Sequence, residues 1–443
     1  MKPKYIKFLM MFLSTMFMLV ACAPGAQVPT PTNTTAKTPP PSPVPTPTET
    51  PKEVLIHQTD IEIVSDNTAT GDGGNIWGGH QTRIVHTPDG VFTAYTVEGG
   101  GYFSREWRLS QRQSDNSWKV IAQGVSGREP VNLLASPDGT LHVIGWPKGI
   151  GTIWSGKPQN GSISMSDEII PNMPQGDWPY SSAGIDASGN LCVLASNGGE
   201  QAGGEFYWSC YLTATQHWVS HTSSLDYRYC YTYVFPSPGG ELSLVSTRDV
   251  RWSALGYQQP AGAFDYAFNA FGYWRTNNIL ADSIEQINYA EETPTELFPN
   301  AFLNAQMDAY LDTQGHMHIL YWQMGETTNG ASKSMHRIVS DTGEVLFDEE
   351  IPEEAGYFSR IFQDKQEQFY LLGSSGLLYP MDQNGEKVKA PIQLNLEGHE
   401  VEYSGFGLSV PRTGTPLSNT IDVVFPSGNE TQWLYFQLNL SGN

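Results

Sequence analysis

The sequence predicts an all-β protein, a single β-propeller counted as seven blades, with six or eight as the alternative counts. Three observations predict it. A hairpin turn recurs about every fifty residues, an apolar strand of constant register follows each turn, and a polar position recurs at constant distance before it. The hairpin Val131–Trp146 shows all three in one stretch, VNLLASPDGTLHVIGW.

The turn reads Thr87-Pro88-Asp89-Gly90, Ser136-Pro137-Asp138-Gly139, Asp186-Ala187-Ser188-Gly189, Ser237-Pro238-Gly239-Gly240 and Asp312-Thr313-Gln314-Gly315. A sixth copy, Asp364-Lys365-Gln366-Glu367, lacks the glycine, and a seventh around Arg412-Thr413-Gly414 is degenerate. The first position is Thr, Ser or Asp, whose side chain bonds the turn backbone, and glycine supplies positive φ at the fourth. That is a type I turn with a bulge, a common link between antiparallel strands. The last positions lie 49, 50, 51, 75 and 52 residues apart.

The strand after the turn carries Phe92, Leu141, Leu191, Leu242, Met317 and Phe369 two places on. Five places on stand Tyr95, Ile144, Leu194, Val245, Leu320 and Leu372. Because the two sets face opposite ways, the strand is covered on both sides, as a blade sandwiched between neighbours requires. The C-terminal strand Thr431–Leu440 has no partner after it, and Val54–Val64 alternates like a strand before blade 1. That segment is expected to close the ring as the outer strand of the last blade, removing an open edge. The 75-residue spacing marks an insertion of about 25 residues between blades four and five, rich in aromatics from Tyr257 to Trp274. An insertion of that length suits a wall or lid at the mouth.

Seven residues before each turn's last position stand Arg83, Asn132, Ser182, Tyr233, Asp308 and Arg360. The innermost strands of a propeller line its axis, so this column is expected to converge there, forming a ring that either satisfies itself or binds a ligand. Two guanidiniums in it suit a carboxylate held bidentately. Trp178, Tyr180, Tyr229 and Tyr357 enter the inner strands and are expected to rim the mouth with rings suited to a sugar's apolar face. His80 and Arg128 fall in the same entering segments.

Lys2, Lys4 and Lys7, the apolar run Phe8–Ala21 and Leu19-Val20-Ala21-Cys22 form the start of the chain. The run is too short for a permanent membrane span. The pattern resembles a bacterial lipoprotein signal, which implies a signal peptide at 1–21, palmitate-type lipidation of Cys22 and a membrane anchor. Localisation follows as the bacterial cell envelope, facing outward from the cytoplasmic membrane, or the outer membrane in a diderm. Residues 22–52 form the lipidated cysteine and a linker, with ten prolines in the thirty residues from Ala23 to Lys52. Such a segment buries no core and extends at ~3.1 Å per residue, to ~90 Å. The propeller occupies 53–443. The formal charge of −22 argues against nucleic acid or anionic lipid as a partner. Of the other cysteines, Cys192 and Cys210 sit opposite each other across a hairpin and are a candidate disulfide, while Cys230 reads as a buried small hydrophobe.

Thr82-Arg83-Ile84-Val85, followed by TPDG and an apolar strand, resembles the first-blade arginine motif of sialidase-type (BNR) propellers. The resemblance implies that Arg83 grips a substrate carboxylate, with Arg360 where a second arginine stands. It covers about fourteen residues. Val85 replaces the usual proline, no S-x-D-x-G-x-x-W box occurs, and sialidases have six blades. Chemistry elsewhere is thin. His316, His318 and His336 share a blade, but other blades hold Thr93, His142, Cys192 or Ser243 at the position of His318, so it reads as structural and no metal is assigned. The chain has no phosphate loop, no G-x-S-x-G elbow and no paired-carboxylate motif.

The resulting expectation is a surface-anchored, monomeric binding module for an extracellular glycan or peptide, using no cofactor. The first alternative is a sialidase-like enzyme acting on an acidic sugar, with Tyr233 or Asp308 as catalytic candidates. The second is an envelope scaffold.

Overall fold

In the computed structural model the turns fall where the repeat puts them. The structure describes residues 54–71, 73–101, 104–176, 180–197, 202–281, 283–401, 405–427 and 431–442. Cys22, the signal segment and the whole linker lie outside the described residues, as does Trp178. The chain from Lys52 to Asn443 forms one compact unit.

Seven antiparallel sheets make up the ring, six of four strands and one, blade 7, of five. Their inner strands are Ile84–Thr87, Asn132–Ala135, Tyr180–Ile185, Tyr229–Ser237, Phe302–Leu311, Arg360–Gln363 and Gly407–Leu408, one to each of blades 1 to 7. Inner strands of successive blades touch from blade 1 through blade 6, and blade 7 packs back onto blade 1. The glycines of the first five turns have positive φ, and in the sixth Glu367 takes the same left-handed conformation at φ 62°. Asp186, Asp312 and Asp364 each accept two backbone N–H bonds within their own turns. All twelve side chains of the two apolar registers are buried. Burial on both faces is what sandwiching between blades demands, and it removes the blade edges from solvent.

Closure occurs through the N-terminal segment. Val54–Gln58 and Glu62–Ser65 both pair antiparallel with Gln432–Gly442, forming the outer strand of blade 7 in two pieces. Glu62 then reaches blade 1, where its carboxylate accepts both the Arg112 guanidinium and the Trp118 indole N–H.

The insertion lies within blade 4, not between blades four and five. Blade 4's second strand ends at Arg248 and its third begins at Ala270. Between them are a two-residue ribbon, Val250–Arg251 with Tyr266–Ala267, and a 3-10 turn at Trp252–Leu255. Turn-to-turn spacing measures the length of a period but is blind to where the extra residues fall in it. Phe271, Tyr273 and Trp274 consequently belong to a core strand, while Phe264 is exposed.

Cys192 and Cys210 are register partners on adjacent strands of blade 3 and are joined in a disulfide. Cys230 is buried, and that burial pushes its thiol pKa up.

Candidate functional site

A cavity of ≈590 Å³ runs along the inner strands around the axis. Its open end is framed by the hairpin turns, among them Pro88, Pro137, Ala187 and Pro238, and its inner part by Arg83, Asp308, Arg360 and Arg412. The sequence predicts a mouth at the opposite end, where the inner strands begin. That end is filled. The segment between Ser65 and Ile84 crosses from blade 7 to the far side of the ring. Gln81 donates to the Pro130 carbonyl in blade 2's approach, and Ser182 of blade 3 donates to the His80 carbonyl. The His80 ring meets the Ser181 carbonyl and lies edge-on to Tyr231 of blade 4, 5.5 Å between centroids. Asn75 anchors the segment by pairing its amide with both the N–H and the carbonyl of Thr96. The cavity is therefore blind.

The six column residues divide into two groups. Asn132 and Ser182 are spent on the crossing segment, Asn132 accepting from the Thr82 N–H. Arg83, Tyr233, Asp308 and Arg360 do come together. Arg360 lies 3.8 Å from the Asp308 carboxylate and also donates to the Tyr233 hydroxyl and to the carbonyls of Met307 and Phe406. Arg83 donates to the carbonyls of Asn75, Trp77 and Gly78 and rests on the Trp433 ring.

A third guanidinium joins them. Arg412, on the 3-10 turn Pro411–Thr413 of blade 7, lies over the Tyr233 ring at 5.0 Å and donates to the His80 carbonyl. The column rule missed it because seven residues before Gly414 stands Gly407, which has no side chain. A Cβ there would come within 3.1 Å of Val424 Cγ2, and the arginine of this blade arrives instead from the turn. A missing member of an otherwise polar column, with an arginine five residues later, was the available signal.

The cluster is short of negative charge. Asp186 and Asp312 also line the cavity, but their oxygens are held by their own turns, and Asp312 also by His318. That leaves Asp308, which accepts the Ile361 N–H and faces Arg360. Among the described residues, neither Arg83 nor Arg412 is in ion-pair contact with a carboxylate, although Asp308 attracts Arg412 from farther away. Burial, with Arg360 close by, lowers the Arg83 pKa to about 9, and burial lowers that of Arg412 to about 10. Burial, reinforced by Arg412 and Arg83, takes His80 down to about 3, so it is neutral and donates from Nε2 to Ser181.

The two catalytic candidates are occupied structurally. The Tyr233 hydroxyl donates toward the carbonyls of Gln306 and Met307, and burial raises its pKa. Burial also raises the Asp308 pKa. Neither is poised as a nucleophile with a free base beside it. The expected aromatic rim is dispersed: Tyr229 is buried against Trp274, Tyr180 packs on Tyr231 under Arg228, and Tyr357 is half exposed beside Trp322. These rings sit at the filled end, which is why they do not line the cavity. His318 is buried and hydrogen-bonded to His336 and Asp312, and among the described residues no group of three such side chains is arranged to hold a metal ion.

No known protein family's sequence profile matches the chain, and no curated protein matches it. Solved structures do. The polysaccharide lyase Uly1 superposes with a TM-score of 0.54 at 10% identity, over 84% of this chain and 92% of that one. The α-L-arabinanase of Penicillium chrysogenum complexed with arabinobiose gives 0.44 at 9% identity, over 69% and 92%. The WD40 propeller domain of Doa1 gives 0.40 at 11%, over 85% and 97%. At 10% identity the likeness to the lyase is one of fold alone.

Proposed function

We propose that this propeller is a binding module, held at the cell surface through Cys22 and the proline-rich linker, whose cavity takes the acidic end of an extracellular glycan. One observation carries the reading: Arg83 and Arg412 face one blind cavity with no carboxylate in ion-pair contact among the described residues. Two desolvated cations in a low-dielectric site are costly, and an anion relieves that cost. A planar carboxylate fits the guanidinium fork bidentately. The walls supply what the rest of a sugar needs, with Phe235, Tyr310 and Phe406 as apolar surface beside turn hydroxyls. Closure of the far end by the crossing segment favours a chain end over an internal stretch. The existence of a polysaccharide lyase on the same fold is compatible with a glycan ligand; the charge arrangement supports an acidic one.

The test is an array of acidic and neutral glycans probed with the full chain and with Arg412→Ala. Uronate- or sialate-terminated glycans are expected to bind and neutral ones not, with Arg412→Ala weakening binding by about 30-fold or more, as loss of a buried charged contact does. Binding indifferent to acidity would overturn the reading. Turnover of fluorogenic acidic glycosides would replace it with the sialidase-like alternative, and an inert cavity would favour the scaffold.

A further inference from the structure

Arg83 is not the only side chain that blade 1's inner strand offers to the cavity. Three residues on, nearer the open end, His86 also lines the cavity. Its Nδ1 is 2.7 Å from Asp422 Oδ2, and its backbone N–H donates to the Thr415 hydroxyl. Asp422 is fully buried and held from every side. The Tyr435 hydroxyl and the Gln437 amide donate to one oxygen, and Ser409 bonds the other. A carboxylate so fixed sets both the ring plane of His86 and its tautomer, placing the proton on Nδ1. Nε2 is then the nitrogen left to the cavity, and the side chain retains 39% of its exposure. Nε2 itself makes no hydrogen bond among the described residues, while Nδ1 is held by Asp422.

We propose that the cavity's ligand carries two acidic groups, one seated on the guanidiniums of Arg83 and Arg412 and the second on Nε2 of His86. The proposal rests on the acidic-glycan reading and narrows it to a dianionic chain end. Extended strand advances ~3.3 Å per residue, so the backbones of Arg83 and His86 stand ~10 Å apart. A carboxylate and a sulfate, or two carboxylates, on a terminal disaccharide span that order of distance. Neutral His86 presents a lone pair at Nε2, whereas the imidazolium presents an N–H that binds an anionic oxygen. The Asp422 hydrogen bond raises the His86 pKa above its ordinary value of 6.5 and so favours the imidazolium. The charged groups around the ring are Asp422 on blade 7's second strand, Arg83 on its own strand and Arg412 on blade 7's turn.

The experiment is calorimetric titration of the full chain with uronic-acid disaccharides, unsulfated and singly sulfated at each available hydroxyl. At least one sulfated isomer is expected to bind about 10-fold or more tighter than the unsulfated one. His86→Gln should erase that gain while leaving affinity for the unsulfated disaccharide within about two-fold. The gain should also vanish as pH rises through the raised His86 pKa, and Asp422→Asn should move that loss to lower pH. If disaccharides bind but no sulfated isomer gains, or the gain survives His86→Gln, the two-group proposal falls and the acidic-glycan reading stands. If no uronate disaccharide binds at all, both fall.

Discussion

Glu62 accepts the Arg112 guanidinium through both carboxylate oxygens, Nε at 2.9 Å and Nη2 at 2.5 Å, across the seam where blade 7 meets blade 1. Glu62 belongs to the strand that closes the ring, and Arg112 ends the third strand of blade 1. The pair is largely shielded and shares Trp118, so it is worth more than an exposed ion pair. Glu62→Ala should lower stability by about 1–3 kcal/mol, because it strands a half-buried guanidinium. Chemical denaturation checks this, and Glu62→Gln, which keeps one acceptor, should recover part of the loss.

The Cys192–Cys210 disulfide closes a loop of separation 18 on neighbouring strands. By the loop-entropy estimate its removal costs about 3 kcal/mol. The double variant Cys192→Ser, Cys210→Ser should unfold at lower denaturant than the oxidised parent. Reducing agent should leave the variant's midpoint unchanged and lower the parent's.

Gly184 stands in blade 3's inner strand, and a Cβ there would lie 2.1 Å from the Val234 carbonyl of blade 4. Backbone cannot step aside as a side-chain tip can. Gly184→Ala should therefore push two blades apart and destabilise by about 1–3 kcal/mol or more, read as a lower melting temperature. Gly139→Ala, whose nearest neighbours are side-chain ends, meets no such clash but retains the cost of its positive φ.

Acid should weaken the fold through its buried imidazoles. His80 is held down to about 3, and His318 and His336 are lowered, in each case chiefly by burial. A folded-state pKa below the unfolded one means that the unfolded chain binds the proton first. Stability is then full above about pH 6.5 and falls as pH drops toward the folded value, by about 1.4 kcal/mol per pH unit for each such group. Denaturation midpoints at pH 7 and pH 5 check this. His80→Gln, which keeps a donor for the Ser181 carbonyl, should flatten part of the slope.

Much of the fold was legible because a repeat averages over local ambiguity. A single apolar strand can be core or edge, but six in one register, all apolar on both faces, leave one architecture. The site was less legible. Arg83, Tyr233, Asp308 and Arg360 were found because periodicity marks the inner strand. Arg412 escaped because it reaches the axis from a turn. The choice of open end depended on the segment from Ser65 to Ile84, whose Asn75, His80 and Gln81 bond backbone groups from three blades, and no periodic pattern reports such contacts. His86 was passed over for a similar reason: its partner Asp422 lies 336 residues away in sequence.

The central claim is that Arg412 and Arg83 await an anion. Phenylglyoxal labelling of the full chain, mapped by mass spectrometry with and without a uronate disaccharide, tests it most directly. A guanidinium whose pKa is pulled down to about 10 reacts faster than one on the surface. Arg412 should therefore label early in the free protein and be protected by the uronate but not by a neutral disaccharide, while Arg251 at the surface labels equally in all three. Labelling of Arg412 that the uronate leaves unchanged would contradict the account.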